Sequence, residues 1–384
     1  MSAIVYEKPV NGPATHAIVI GVGDYPHLPG GGMGQLKSPP YSAHDLARWL
    51  IEKYNCPAKP LASVSLLVSA ATASPFTFKV NNIESSINVT PAVMPQVKLA
   101  VREWRERGHQ NTDHVLLFFF CGHGIAAGTD LALLLSDFGE VPTAPLEGAI
   151  NFGAFLQGMD ECKAREQCYF VDACREGSEL LIKNYSYRGD PIIQSTGNIP
   201  DTNGHSRRLA TFFSTLAGAK AYAAPGKPSV FTHALIQALS GLGSTDDDGG
   251  PWQVKTTRIQ IALEYLMQEA SKELKLSQAQ FSITGDLAAI TLNEVNENEF
   301  SVPVTVVCEP EVAISKAYLQ CRDSKSKVKK ERRPVRKPWC VTLPVGIYDV
   351  SAIFKSKAYK DAEIQKSVSP PQRRVVLKTP VAVS

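Results

Sequence analysis

Across residues 1–298 short apolar runs alternate with amphipathic stretches, the pattern of a parallel sheet whose strands are joined by crossover helices. Strands are predicted at 17–22, 64–68, 115–120, 131–135, 169–171 and 211–215. The runs AIVIGV (17–22) and VLLFFF (115–120) carry no polar residue, as strands covered on both faces require. Periodicity near 3.6 predicts helices at 43–54, 96–107, 152–162, 231–242 and 257–274, the last capped by Thr256 or Thr257. Gly- and Pro-rich stretches at 29–40, 190–208 and 244–251 read as loops, and no internal repeat is visible.

Composition narrows the class. A chain of 384 residues is expected to hold two or three domains at about 150 residues each. With 44% hydrophobic and 20% charged residues it reads as an ordinary globular protein, which excludes wholesale disorder and fibrous repeats. No apolar run reaches the ~18 residues of a membrane helix, so no membrane is expected as a partner. Residues 1–13 lack the basic and apolar segments of a secretory signal, which makes the cytoplasm the expected compartment. The eight cysteines include no CxxC pair and are read as reduced thiols. Charge divides the chain: 299–384 holds 17 Lys+Arg against 8 Asp+Glu, leaving 23 against 29 before it. Two domains are therefore expected, 1–298 with α/β character and 299–384, basic and β-rich.

Open parallel sheets carry their chemistry beyond the carboxyl ends of the strands. One strand runs into Gly122-His123-Gly124 and another into Asp172-Ala173-Cys174-Arg175. If both strands run the same way in one sheet, His123 and Cys174 share an edge. An imidazole beside a thiol takes its proton and later protonates a leaving amine, which is the chemistry of a cysteine nucleophile. Backbone N–H groups at a tight turn stabilise the oxyanion formed on attack, and those of Gly124 and Cys174 are the candidates. Their side chains alone leave nothing obvious to orient His123 except a backbone carbonyl.

These motifs, in their order along the chain, resemble the caspase-like clan of cysteine peptidases, which contains caspases, metacaspases and paracaspases. The resemblance rests on the opening strand at 16–23, on Ser42-Ala43-His44-Asp45, on GHG at 122–124, and on DACR at 172–175 with the following ATFFSTLA and SVFTHALIQAL. The separation of 51 residues between His123 and Cys174 matches the caspase spacing of roughly 50. The resemblance covers about residues 15–290 and implies a mostly parallel central sheet flanked by helices, with a small β-rich C-terminal domain outside it. It further implies that Asp45 and Asp172 line an acidic S1 pocket, so that protein substrates are cut after Arg or Lys. A carboxylate pair repels itself and is relieved by a guanidinium, which binds bidentately. DACR is closer to paracaspases than to the DSCHSG of many metacaspases.

Other readings stand beside these. Taken alone, Cys174 suits a buried structural thiol, and Asp45 an N-terminal helix charge. Cys162, Cys168 and Cys174 are spaced too widely for a thiolate zinc site, and 30–34 lacks the GK[ST] of a phosphate loop. No cofactor is expected; Ca²⁺ enters only through Asp246, Asp247 and Asp248, which read as a solvated turn. The long polar segment 176–209 offers Arg188, Arg207 and Arg208 as processing sites, for the enzyme itself or an upstream peptidase, in a zymogen. The basic run 322–337 reads as a solvated hairpin, as a nucleic-acid or acidic-protein surface, or as a pseudosubstrate; it lacks interleaved aromatics apart from Trp339, so nucleic acid is not the expected partner. A regulatory protein is the partner expected for the C-terminal domain, and a catalytically silent adaptor is the alternative function.

Overall fold

The computed structural model describes residues 2–28, 34–127, 130–144, 146–174, 176–177, 188–198, 200, 206–214, 226–246, 249–274, 282–284, 289–324, 329–356 and 358–382. Its strands begin with β1 (Ile4–Glu7), β2 (Thr15–Val22), β3 (Leu61–Ser69), β4 (Phe76–Val80), β5 (Ile83–Ile87), β6 (Val115–Gly122), β7 (Gly124–Ala127) and β8 (Asp130–Leu134). They continue with β9 (Ala149–Asn151), β10 (Glu166–Ala173), β11 (Glu176–Gly177), β12 (Arg208–Phe213), β13 (Ser244–Thr245), β14 (Trp252–Lys255), β15 (Ser282–Thr284) and β16 (Thr291–Val295). The helices are α1 (Ser38–Lys53), α2 (Met94–His109), α3 (Phe152–Met159), α4 (Val230–Gln237) and α5 (Thr256–Leu274).

The chain divides into two compact units, Met1–Ile236 with Leu266–Asn293, and Gln237–Tyr265 with Glu294–Ser384. The first is built on a seven-stranded sheet in the order β1-β3-β2-β6-β10-β12-β15. Its five inner strands are parallel, and the short edges β1 and β15 run antiparallel to them. β2, β6 and β10 are buried at every residue, so each alternates its side chains between two covered faces. Ile18, Ile20, Phe118, Phe120 and Tyr169 enter one core with Val101 and Trp104 of α2 and Phe155 of α3. The opposite face carries α1, packed so closely that a Cβ on Gly21 would lie 2.6 Å from that of Ala43.

Several elements depart from the sequence expectation. The run predicted as a strand at 131–135 is β8, and it does not join the parallel sheet. It pairs antiparallel with β7 and β9 in a separate four-stranded sheet, because an apolar run reports burial and not the partner strand. α1 starts at Ser38, inside the stretch read as a loop. Pro39 and Pro40 occupy its first turn, where an N–H would have no helical partner in any case. α3 ends at Met159, and the helix predicted over 231–242 is α4 followed by a π-helical turn at Ala238–Leu242. The unpredicted hairpin β4–β5 turns on Asn81 and Asn82, at φ 51° and 64°, the positive values that two-residue hairpin turns require.

The C-terminal part of the second unit adds β17 (Val302–Glu309), β18 (Tyr318–Asp323), β19 (Lys329–Arg332), β20 (Trp339–Leu343), β21 (Gly346–Ile353), β22 (Ala362–Val368) and β23 (Arg373–Lys378). They form two sheets, β20-β17-β23 and β19-β18-β21-β22. Alternate residues such as Val304, Val306, Leu319, Tyr348, Val350 and Val375 close a common core. Much of the basic run lies in the β18–β19 hairpin, where Arg322 faces Asp349 and Glu363 at 4.0 and 3.8 Å. β19 is an edge strand, and its row of Lys and Arg discourages pairing with another chain. Residues 325–328 of the run lie outside the described residues.

Candidate active site

β6 and β10 pair in parallel register up to Cys121 with Asp172 and Gly122 with Ala173. His123 and Cys174 are each the next residue, so the sheet brings the expected pair together at its carboxyl edge. A Cβ on Gly124 would fall 2.5 Å from the Cys174 carbonyl oxygen and 3.1 Å from the Ala173 Cβ. The backbone leaving His123 therefore lies against that of Cys174, and beyond them β7 continues in parallel pairing with β11. Six of the eight cysteines are buried, Cys340 is exposed and Cys174 is half-buried. Burial drives the Cys121 and Cys168 thiols well above their ordinary value, leaving them inert.

His123 is buried and held on three sides. Its Nε2 hydrogen-bonds the Gly34 carbonyl oxygen at 2.7 Å. A carbonyl only accepts, so Nε2 carries the proton and the lone pair of the neutral ring is left on Nδ1. Its backbone N–H donates to the Tyr25 hydroxyl at 2.7 Å, and its carbonyl accepts from Leu134 N–H at 2.9 Å. The expected backbone carbonyl is thus that of Gly34. The sequence reading missed Tyr25 and Gln35, whose contacts put that carbonyl in place.

Asp172 is buried on the α1 side of β10, where its Oδ2 accepts from Ser229 Oγ, from Thr232 Oγ1 at 2.8 Å and from Cys121 Sγ at 3.4 Å. Burial raises its carboxyl above the ordinary value, and the hydrogen bonds, Ser229 first, oppose that rise. Oδ1 is buried without a hydrogen-bond partner among the described residues. Ser229 also caps the start of α4 by accepting from Thr232 N–H at 2.9 Å, and its own N–H donates to Ser42 Oγ of α1. Ser42, not Asp45, is what α1 contributes here. Asp45 is half-exposed and paired with Arg48 at 2.8 Å, while Arg48 Nε donates to the Thr77 carbonyl of β4.

The candidate processing residues are docked. Arg188 pairs with Asp130 at 3.4 Å, and Gly189 lies so close to β9 that a Cβ on it would meet the Ala149 carbonyl oxygen at 2.6 Å. Arg207 donates to the carbonyls of Met159 and Cys162 at 3.4 and 2.6 Å. Arg208 opens β12, its side chain pairing with Glu166 at 3.1 Å. Residues 178–187, just before these sites, and 199 and 201–205, between them, lie outside the described residues, as do Arg175, Asp247 and Asp248. Among the described residues no group of three or more His, Cys, Asp or Glu converges as metal ligands do, and no helix is long and apolar enough to cross a membrane.

A family model described as Caspase domain matches residues 14–282. An uncharacterized protein, y4kE of Sinorhizobium fredii (strain NBRC 101917 / NGR234), is 31% identical over 221 residues. That stretch is 55% of this chain and 59% of the relative's length. Among solved structures, caspase-1 from Spodoptera frugiperda aligns over 74% of this chain and 89% of its own, at 12% identity and a TM-score of 0.41.

Proposed function

The chain belongs to the caspase-domain family of peptidases, and from that premise we propose a cysteine endopeptidase that cleaves protein substrates after Arg or Lys. The observation that carries this reading is the register of β6 and β10, which sets His123 and Cys174 side by side just past their last paired residues. In this reading His123 Nδ1 takes the Cys174 thiol proton, and the sulfur attacks the scissile carbonyl carbon. The N–H groups of Gly124 and Cys174 receive the oxyanion. Collapse expels the amine with the proton from His123, leaving a thioester that water, deprotonated by the same imidazole, hydrolyses.

Asp172 supports the basic P1 preference. A buried carboxylate with one oxygen lacking a donor among the described residues is relieved by a guanidinium, whereas a P1 aspartate would add a second negative charge there. Asp45 joins the pocket, in this reading, when an incoming cation competes with Arg48 for it. Cleavage within 176–209 is the proposed switch, and because Arg188, Arg207 and Arg208 are docked, it follows local opening of that segment.

The test is a set of fluorogenic peptides differing only at P1. Arg and Lys peptides are expected to be cut and Asp peptides not. Cys174→Ala and His123→Ala each remove cleavage, and the double variant adds little, since the two act as a unit. Asp172→Ala is expected to lower kcat/KM for Arg peptides about a hundredfold. Hydrolysis retained by Cys174→Ala would overturn the dyad; Arg cleavage untouched by Asp172→Ala would overturn the pocket alone.

A further inference from the structure

Tyr25 follows the carboxyl end of β2 and is fully buried although its hydroxyl is polar. The hydroxyl accepts from His123 N–H at 2.7 Å and donates to the Leu134 carbonyl at 3.3 Å. Leu134 N–H in turn donates to the His123 carbonyl, so both peptide groups of the histidine are fastened to one small ring of partners. The Tyr25 ring also lies 4.8 Å from the imidazole, tilted by 49°. Gly122 makes room for this arrangement, since a Cβ there would come within 2.8 Å of the Tyr25 hydroxyl.

The backbone of Tyr25 is itself clamped. Its N–H donates to Gln35 Oε1 at 2.8 Å, and Gln35 Nε2 donates back to the Tyr25 carbonyl at 3.1 Å. One residue further, Leu36 N–H donates to the Gly23 carbonyl at 2.8 Å. The chain that leaves β2 is thereby doubled back on its own start, and Gly34, next to the clamp, presents its carbonyl to His123 Nε2. A primary amide is the side chain that can both accept from an N–H and donate to a carbonyl of the same residue.

We propose that Gln35 and Tyr25 are positioning residues for the dyad: the Gln35 amide holds the Gly34 carbonyl that selects the imidazole tautomer, and the Tyr25 hydroxyl fixes the His123 backbone. This rests on the peptidase reading of His123 and Cys174. Neither residue touches substrate, so losing either is expected to lower kcat about tenfold or more with KM little changed.

The discriminating readout is the pH profile of iodoacetamide alkylation at Cys174, followed by peptide mass mapping with exposed Cys340 in the same chain as the internal reference. Wild-type Cys174 is expected to react at lower pH than Cys340, and His123→Ala to abolish the difference. Tyr25→Phe keeps the ring contact, and Gln35→Glu keeps the shape but loses the donor to the Tyr25 carbonyl. Both are expected to fold and to move the Cys174 profile toward that of Cys340. A profile that answers to His123→Ala but not to Tyr25→Phe or Gln35→Glu would overturn the clamp while leaving the dyad standing. A Cys174 profile indifferent even to His123→Ala would overturn the dyad and the clamp with it.

Discussion

A Cβ on Gly122 would press on the Tyr25 hydroxyl, and one on Gly124 would press on the Cys174 backbone, so each of the two glycines flanking His123 clears space for a different neighbour. The atom facing Gly124 is a main-chain carbonyl, which cannot swing aside as the end of a flexible side chain can. Gly124→Ala is therefore expected to push Cys174 off its register, costing about 1–3 kcal/mol of stability and most of the peptidase activity. Gly153→Ala is the matched control: it sits in the first turn of α3, where the nearest atom to a new Cβ is 3.8 Å away, so it should stabilise the chain by up to about 1 kcal/mol. Thermal unfolding and peptide turnover measured on both variants check the contrast, and equal losses would show that the close approach is unimportant. At this scale the placement of His123 beside Cys174 was legible in the sequence because GHG and DAC each stand where a wholly apolar run stops. Tyr25, Gln35 and Gly34 were not, since their bracket arises from a chain reversal that leaves no periodicity to read. Nor was the role of Ser42, because a serine on the buried side of an amphipathic helix looks like an ordinary small packing residue.

Segment 188–198 looked like part of a long polar loop, yet it is riveted to α3 and its following turn. Glu161 accepts from Ser195 Oγ, Thr196 Oγ1 and the N–H groups of Thr196 and Gly197. Gly158 admits the segment so closely that a Cβ on it would lie 2.1 Å from the Ile193 carbonyl oxygen. Composition reports polarity and hides this docking, since Ser, Thr and Gly supply the donors that one buried carboxylate needs. The Ser195 hydroxyl, followed by the Thr196 and Gly197 donors, holds the Glu161 carboxyl down at about 2 against an ordinary 4.5. A depressed carboxyl stabilises the docked state fully above the unfolded value, so this contribution to docking is complete above pH ~4.5 and is lost as pH falls toward ~2. Glu161→Gln removes the charge at every pH and should do at neutral pH what acid does to the wild type. The expected result is faster cleavage at Arg188 and Arg207 by an added Arg-specific peptidase, or by the chain itself when Cys174 is present. Intact mass against time, for Glu161→Gln in the wild-type and Cys174→Ala backgrounds, reads both. A 41.7 kDa chain that stays whole while fully active would rule out cleavage as the switch.

For the whole chain the charge division was visible in the sequence, negative before residue 298 and positive after it, but packing follows a less simple line. Residues 237–265 cluster with 294–384, and the contacts inside that unit explain why. Gly241 takes φ 132°, open to glycine and costly for other residues, and the Phe300 ring lies against it so closely that a Cβ there would be 2.5 Å from Phe300 Cγ. Trp252 meets the same ring edge-on with centroids 6.0 Å apart. These partners are about fifty to sixty residues apart in sequence, and no local pattern couples a π-helical turn to a tail aromatic, which is why hydropathy and charge place the boundary at the onset of the basic strands. A chain ended at 298 would keep Gly241 and Trp252 while removing the ring that covers them. It is expected to unfold at lower temperature than the full chain, with Trp252 emission shifted toward that of exposed indole. In the full chain Phe300→Ala should reproduce the emission shift and cost about 1–3 kcal/mol, as expected for a half-buried aromatic. Unfolding temperature and emission unchanged on truncation at 298 would show instead that 237–265 folds without the C-terminal strands, and that the charge boundary is also the boundary of stability.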